Sequence, residues 1–210
     1  SVPARASALR VSLVWLPSSD PRLPIPLAHN RDDATPMSAK MRCFLFSLLA
    51  VLPLDQLTKL WIAERFHYGE RVAVIPGFFD LTHVRNPGGA FSFFAEGPAE
   101  QRMMFFVGST LVAVALLIVF LRRLGPEDRL AATALGVILG GALGNLIDRL
   151  VYGEVIDFLD FHLWGGYTWP TFNVADSAIV VGVCILMLEI FLQDREPVAE
   201  LTGAGEKASD

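Results

Sequence analysis

Cysteine and histidine are scarce in this chain. Cys43 and Cys184 are the only cysteines among 210 residues, and each falls inside an apolar run. No Cys-x-x-Cys exists, so neither a disulfide framework nor a zinc knuckle is indicated. No apolar signal-peptide core precedes Cys43, which reads as a buried thiol rather than a lipidated one. The four histidines, His29, His67, His83 and His162, never fall at His-Glu-x-x-His spacing, which excludes that metalloprotease class. None lies in an apolar span, so a membrane serine protease built on Ser92 or Ser177 lacks its base. A basic stripe is missing too, and the net charge is −5. Nucleic acid is therefore not a partner.

What the chain has is apolar length. It is 53% hydrophobic, with a mean hydropathy of +0.47. Four stretches, about 43–63, 103–121, 130–149 and 172–192, are long enough to cross ~30 Å of hydrocarbon as helices. The predicted fold is an all-α membrane protein of four transmembrane helices with a small extracytoplasmic β-containing loop domain. Loops 64–102 and 150–171 lie on one side. Segments 72–75, 79–84 and 90–94 have strand character, and Asn86-Pro87-Gly88-Gly89 is a turn between the last two. Residues 37–196 form the membrane domain. Residues 1–36 hold six prolines and no motif. They read as a disordered or non-native extension, and 197–210 as a disordered cytoplasmic tail. In the third span Gly136, Gly140 and Gly144 recur every four residues, a small face against which another helix can pack closely.

Charge sets the expected orientation. Lys40, Arg42, Arg122, Arg123, Arg129, Arg195 and Lys207 fall on the side of the two termini. Arg65, Arg71 and Arg85 fall on the other, with Arg102 at the membrane edge. The bias places both termini in the cytoplasm.

The unusual polar residues then share one depth, near the outer face. Asp55 and Lys59 end the first span and are i, i+4. Asn145, Asp148 and Arg149 end the third, Asp157 and Asp160 follow it, and Asn173 and Asp176 open the fourth. Glu189 is the exception, 13 residues beyond Asp176 and ~20 Å down the helix. A structural polar plug accounts for Asn145, Asp148, Arg149 and Asn173. It does not account for five aspartates set against Lys59 and Arg149. Two carboxylates at low dielectric can share one proton and act as base and acid on a single water. The residues alone do not choose that pair among Asp148, Asp157, Asp160 and Asp176. Membrane carboxylates also relay protons in transporters, the alternative reading. Four spans without an internal repeat, with the acids at one edge, argue against it.

Five blocks in order carry a close resemblance to bacterial lipoprotein signal peptidase, or signal peptidase II. They are Asp55-Gln56-Leu57-Thr58-Lys59, the run from Asn86 to Ser92, the run from Gly140 to Arg149, Val155-Ile156-Asp157-Phe158, and the run from Phe172 to Ile179. They lie within about 41–193. The resemblance implies an intramembrane aspartyl endopeptidase with Asp157 and Asp176 as its catalytic pair. Asp55, Lys59, Asn86, Asn145, Asp148, Arg149 and Asn173 would structure the site or position substrate. Loop 64–102, through Asn86 and Gly89, is expected to lie over the aspartates and clamp the peptide. The implied substrate is a diacylglyceryl-modified prolipoprotein, cut on the N-terminal side of its lipidated cysteine. No metal or cofactor is implied. The expected setting is the bacterial cytoplasmic (inner) membrane, with the protein a monomer among membrane lipid.

Overall fold

A computed structural model describes residues 37–89 and 96–193. The expectations for 1–36, for strand 90–94 and for tail 197–210 lie outside the described residues.

Four helices coincide with the four apolar stretches: α1 (Ala39–Arg65), α2 (Ala99–Arg123), α3 (Arg129–Tyr152) and α4 (Val174–Gln193). Each is long and apolar enough to cross a membrane. Large apolar side chains such as Phe46, Leu57, Val112, Leu116, Val180 and Met187 point outward. In water that would be an uncovered apolar surface, whereas hydrocarbon accepts it. Ser38 caps α1 by accepting the Met41 N–H at 3.4 Å. Gly153, left-handed at φ 78°, ends α3.

Helix α3 is the central and most buried of the four. Its glycine face lies against α1, as the spacing suggests. A Cβ at Gly136 would overlap the Phe44 carbonyl and Ser47 Oγ, and one at Gly144 would overlap Asp55 Oδ2. A second small face meets α4, where a Cβ at Gly141 would lie 2.5 Å from the Ala175 carbonyl oxygen. Backbone approach this close lets Asp55 of α1 accept the Ala175 N–H of α4 and share Lys59 with Asn145 of α3.

The sheet holds β1 (Arg71–Ile75), β2 (Phe79–Asn86) and β3 (Val155–Phe161), antiparallel in the order β1-β2-β3. The third strand is the departure from expectation, because 150–171 reads as a plain connecting loop in the sequence. Both faces of β3 are covered, so Val-Ile-Asp-Phe-Leu-Asp-Phe shows no clean alternation of apolar and polar residues. Its two aspartates are three apart. On a strand an odd spacing puts them on opposite faces. The sheet thus joins both loops and plants Asp157 beside the start of α4.

Candidate active site

Lys59 is the centre of a polar cluster among α1, α3 and α4. Its ammonium is 1% exposed and lies 2.8 Å from Asp55 Oδ2, 3.0 Å from Asp148 Oδ2 and 2.8 Å from Asn145 Oδ1. Three acceptors satisfy its three donors, the condition under which a charge tolerates burial. Gln56, which sequence reasoning passed over, places its Nε2 3.2 Å from Asp55 Oδ2, 3.0 Å from Asp148 Oδ1 and 3.1 Å from the Gly144 carbonyl. Its place beside Asp55 was the available signal.

The two carboxylates of this cluster also hold two backbone segments. Asp55 Oδ1 accepts the Ala175 N–H at 2.8 Å, and Asp148 Oδ2 accepts the Ile156 N–H at 3.1 Å. Ala175 immediately precedes Asp176, and Ile156 immediately precedes Asp157. Asp157 and Asp176 are thereby each fixed through the neighbour's amide.

Asn173 lies just before α4 and forms a reciprocal cap with Asp176. The Asp176 N–H donates to Asn173 Oδ1 at 2.9 Å, and the Asn173 N–H donates to Asp176 Oδ2 at 3.3 Å. Asn173 Nδ2 also donates to Asp157 Oδ1 at 2.7 Å and lies 3.2 Å from Asn145 Oδ1. Asn145 Nδ2 donates to Asp176 Oδ1 at 2.7 Å. Two asparagines therefore bridge Asp157, Asp176 and Lys59. Asn86 completes the set, donating to Asp157 Oδ2 at 3.0 Å while its Oδ1 accepts the Gly88 N–H at 2.9 Å.

Arg149 pairs with none of the aspartates. Its guanidinium donates to the Gly88 carbonyl at 2.9 Å and the Asn145 carbonyl at 3.3 Å, and sits 4.5 Å over the Phe106 ring of α2. It ties the 86–89 turn to α3.

These residues open onto one cavity of about 920 Å³. Asn86, Gly89, Asn145, Arg149, Asp157 and Asp176 line its polar side, and Phe172, Ile179, Val180 and Val181 its apolar side. Asp55, Lys59, Asp148 and Asn173 stand behind the lining. Asp160 is elsewhere, on the far face of β3, where Arg71 Nη2 lies 2.7 Å from its Oδ2. Burial, and next the charge of Asp176, push the Asp157 carboxyl from its ordinary 3.8 up to about 7. Hydrogen bonds from Asn86 and Asn173, and the Lys59 charge, work against that rise.

The fold and site define a multi-pass membrane protein whose loops and helices converge on two carboxylates, one buried and one half-buried. The family model for signal peptidase (SPase) II matches residues 47–192. The lipoprotein signal peptidase of Syntrophus aciditrophicus is 42% identical over 160 residues, 76% of this chain and 99% of its own length. That of Syntrophotalea carbinolica is 49% identical over 150 residues, 71% and 91% of the two chains. A bacterial membrane enzyme solved by the in meso method at 2.3 Å superposes with a TM-score of 0.67 at 31% identity, covering 74% of this chain and 92% of that one. The chain belongs to the signal peptidase II family. It is a membrane-embedded protease, and the transporter reading falls.

Proposed function

We propose that this protease is an aspartyl endopeptidase acting on diacylglyceryl-modified prolipoproteins, cutting on the N-terminal side of the lipidated cysteine. The observation that supports it is the placement of Asp157 and Asp176. They come from a strand and a helix, share Asn173 as hydrogen-bond partner, and face one cavity with a polar and an apolar side. Burial and the neighbouring charge of Asp176 raise the Asp157 carboxyl to about 7, so two neighbouring carboxyls can share one proton near neutral pH.

One ionised carboxylate takes a proton from water, and that water attacks the scissile carbonyl carbon. The protonated carboxyl donates to the carbonyl oxygen as the tetrahedral centre forms. Collapse breaks the C–N bond, the proton taken from water passes to the leaving amine of the cysteine, and the proton on the former carbonyl oxygen returns to the carboxylate that gave it. Gly88 and Gly89 let an extended peptide approach the 86–89 turn, and Arg149 holds that turn in place. The apolar wall formed by Ile179, Val180 and Val181 suits the diacylglyceryl chains. The charge bias of the loops puts the site near the outer face of the bacterial cytoplasmic membrane, with both termini inside.

The test is cleavage of a synthetic diacylglyceryl prolipoprotein peptide by the purified chain, with products read by mass. Asp157→Asn and Asp176→Asn each lower the rate by about 10⁴-fold, as for catalytic groups that act as a unit. The lipidated cysteine becomes the new N-terminus. Turnover near normal in either variant, or cleavage at another bond, overturns the reading.

A further inference from the structure

The face of the sheet turned away from the catalytic pair carries a second cluster. Asp80 on β2 and Asp160 on β3 are register partners, and His162 lies two residues beyond Asp160 on the same face. Like charges directly opposite each other on neighbouring strands destabilise a sheet. Here both are buried, Asp160 completely. The fixed cation nearby is Arg71 on β1. Its Nη2 lies 2.7 Å from Asp160 Oδ2 and its Nε 3.8 Å from Asp80 Oδ2. That side chain is half exposed and reaches in from the rim. Neither oxygen of Asp160 receives an aligned hydrogen bond. The charge balancing this fully buried carboxylate thus comes from a side chain anchored at the rim, which a bound cation can replace.

The geometry points to a divalent-cation site of the zinc class at Asp80, Asp160 and His162. One donor atom from each residue lies within 4.8 Å of the others. His162 Nε2 is 2.9 Å from Asp80 Oδ2 and 3.9 Å from Asp160 Oδ2. Donors sharing a tetrahedral zinc at ~2.0–2.2 Å stand about 3.3 Å apart, so small side-chain rotations suffice. Two carboxylates and an imidazole suit zinc rather than magnesium, which prefers an octahedron of oxygens. An outer partner for the ring is already present, with Thr168 Oγ1 3.3 Å from His162 Nδ1. An Nδ1–H donated there leaves Nε2 free to bind metal. The fourth position falls to water, and Arg71 swings outward as the cation enters. The ion would fasten β2, β3 and the turn after β3 from the side opposite Asp157. This inference does not rest on the catalytic assignment.

The experiment uses the full chain, untagged and stripped with chelator, in detergent. Zinc chloride is titrated by calorimetry and the unfolding midpoint is followed in parallel. One equivalent binds, and the midpoint rises with zinc and not with magnesium. Asp160→Asn and His162→Gln lose both effects, whereas Asp157→Asn keeps them. Arg71→Gln tightens binding, because the competing cation is gone. Asp160→Asn alone risks the fold; His162 is partly exposed, so His162→Gln keeps the test decisive. Zinc that fails to bind, or binds equally to Asp160→Asn and His162→Gln, overturns the site.

Discussion

Asp55 on the first helix accepts the backbone N–H of Ala175 on the fourth at 2.8 Å, one residue before Asp176. Asp148 does the same for Ile156, one residue before Asp157. Both acceptors are held by Lys59. One buried ammonium therefore sets the spacing of two carboxylates it does not itself bond. Lys59→Met would leave two buried carboxylates facing each other without a cation. Loss of one partner from such a group costs about 3–5 kcal/mol. The expected result is a large fall in the detergent unfolding midpoint together with loss of cleavage. A stable Lys59→Met protein with full activity would show that the cluster does not position the pair.

The helical frame was legible in the sequence because hydrocarbon demands long apolar runs and tight helix packing demands glycine every four residues. Spacing alone did not separate Asp157 from Asp160; only the family resemblance favoured Asp157. Their distinction depends on strand geometry, and β3 hides its period by being covered on both faces. The two lie on opposite faces of β3, where Asp157 reaches Asn86 and Asn173 while Asp160 reaches Arg71. Lys59 was readable as the partner of Asp55, four residues away. Its bonds to Asp148 and Asn145 are long-range contacts that no local spacing encodes. Arg149 lies among the acids, as expected, and lines the cavity with Asp157 and Asp176; its bonds to the Gly88 and Asn145 carbonyls depend on where the 86–89 turn folds and are not encoded in local spacing.

Packing of α3 gives a prediction with its own control. Gly136→Ala puts a methyl onto the Phe44 carbonyl and Ser47 Oγ of α1, so the helices must separate. Overpacking of this kind costs about 1–3 kcal/mol. Gly108→Ala on α2 meets nothing within 4 Å and replaces glycine inside a helix. It should be neutral or stabilising by up to about 1 kcal/mol. Thermal unfolding of both variants in one detergent checks the contrast, and equal midpoints would mean that α1 and α3 are not in register as described.

Stability should depend on pH through Asp157. Its folded pKa is about 7, above the ordinary 3.8. Between those values the folded protein binds a proton that the unfolded chain has released. The stabilisation is complete below about 4, falls as pH rises toward 7, and levels off above it. Asp157→Asn removes this component. Its unfolding midpoint should change less than that of the parent between pH 4 and 7, and should exceed the parent's at pH 8. A parent and variant with parallel pH profiles would rule out the raised carboxyl.

Asn86 allows the catalytic reading to be tested without removing an aspartate. Its amide donates to Asp157 Oδ2 at 3.0 Å, and that bond holds the carboxyl lower than burial alone would set it. If the reaction needs one proton on the pair, the rate declines as pH rises past about 7, where that proton leaves. Asn86→Ala withdraws a donor from the ionised form, so the proton is held to higher pH and the alkaline limb moves upward. Turnover at the optimum also falls, because Asn86 accepts the Gly88 N–H and shapes the turn against which peptide is proposed to lie. Gly89→Val tests the turn separately. It should lower turnover and leave the alkaline limb where it was, since the substitution adds bulk at the cavity wall without touching the bond to Asp157. Rate profiles for the three proteins on one lipopeptide distinguish the two effects. A limb that stays fixed in Asn86→Ala would mean that Asp157 is not the group whose proton sets it, and the assignment of the pair would have to move.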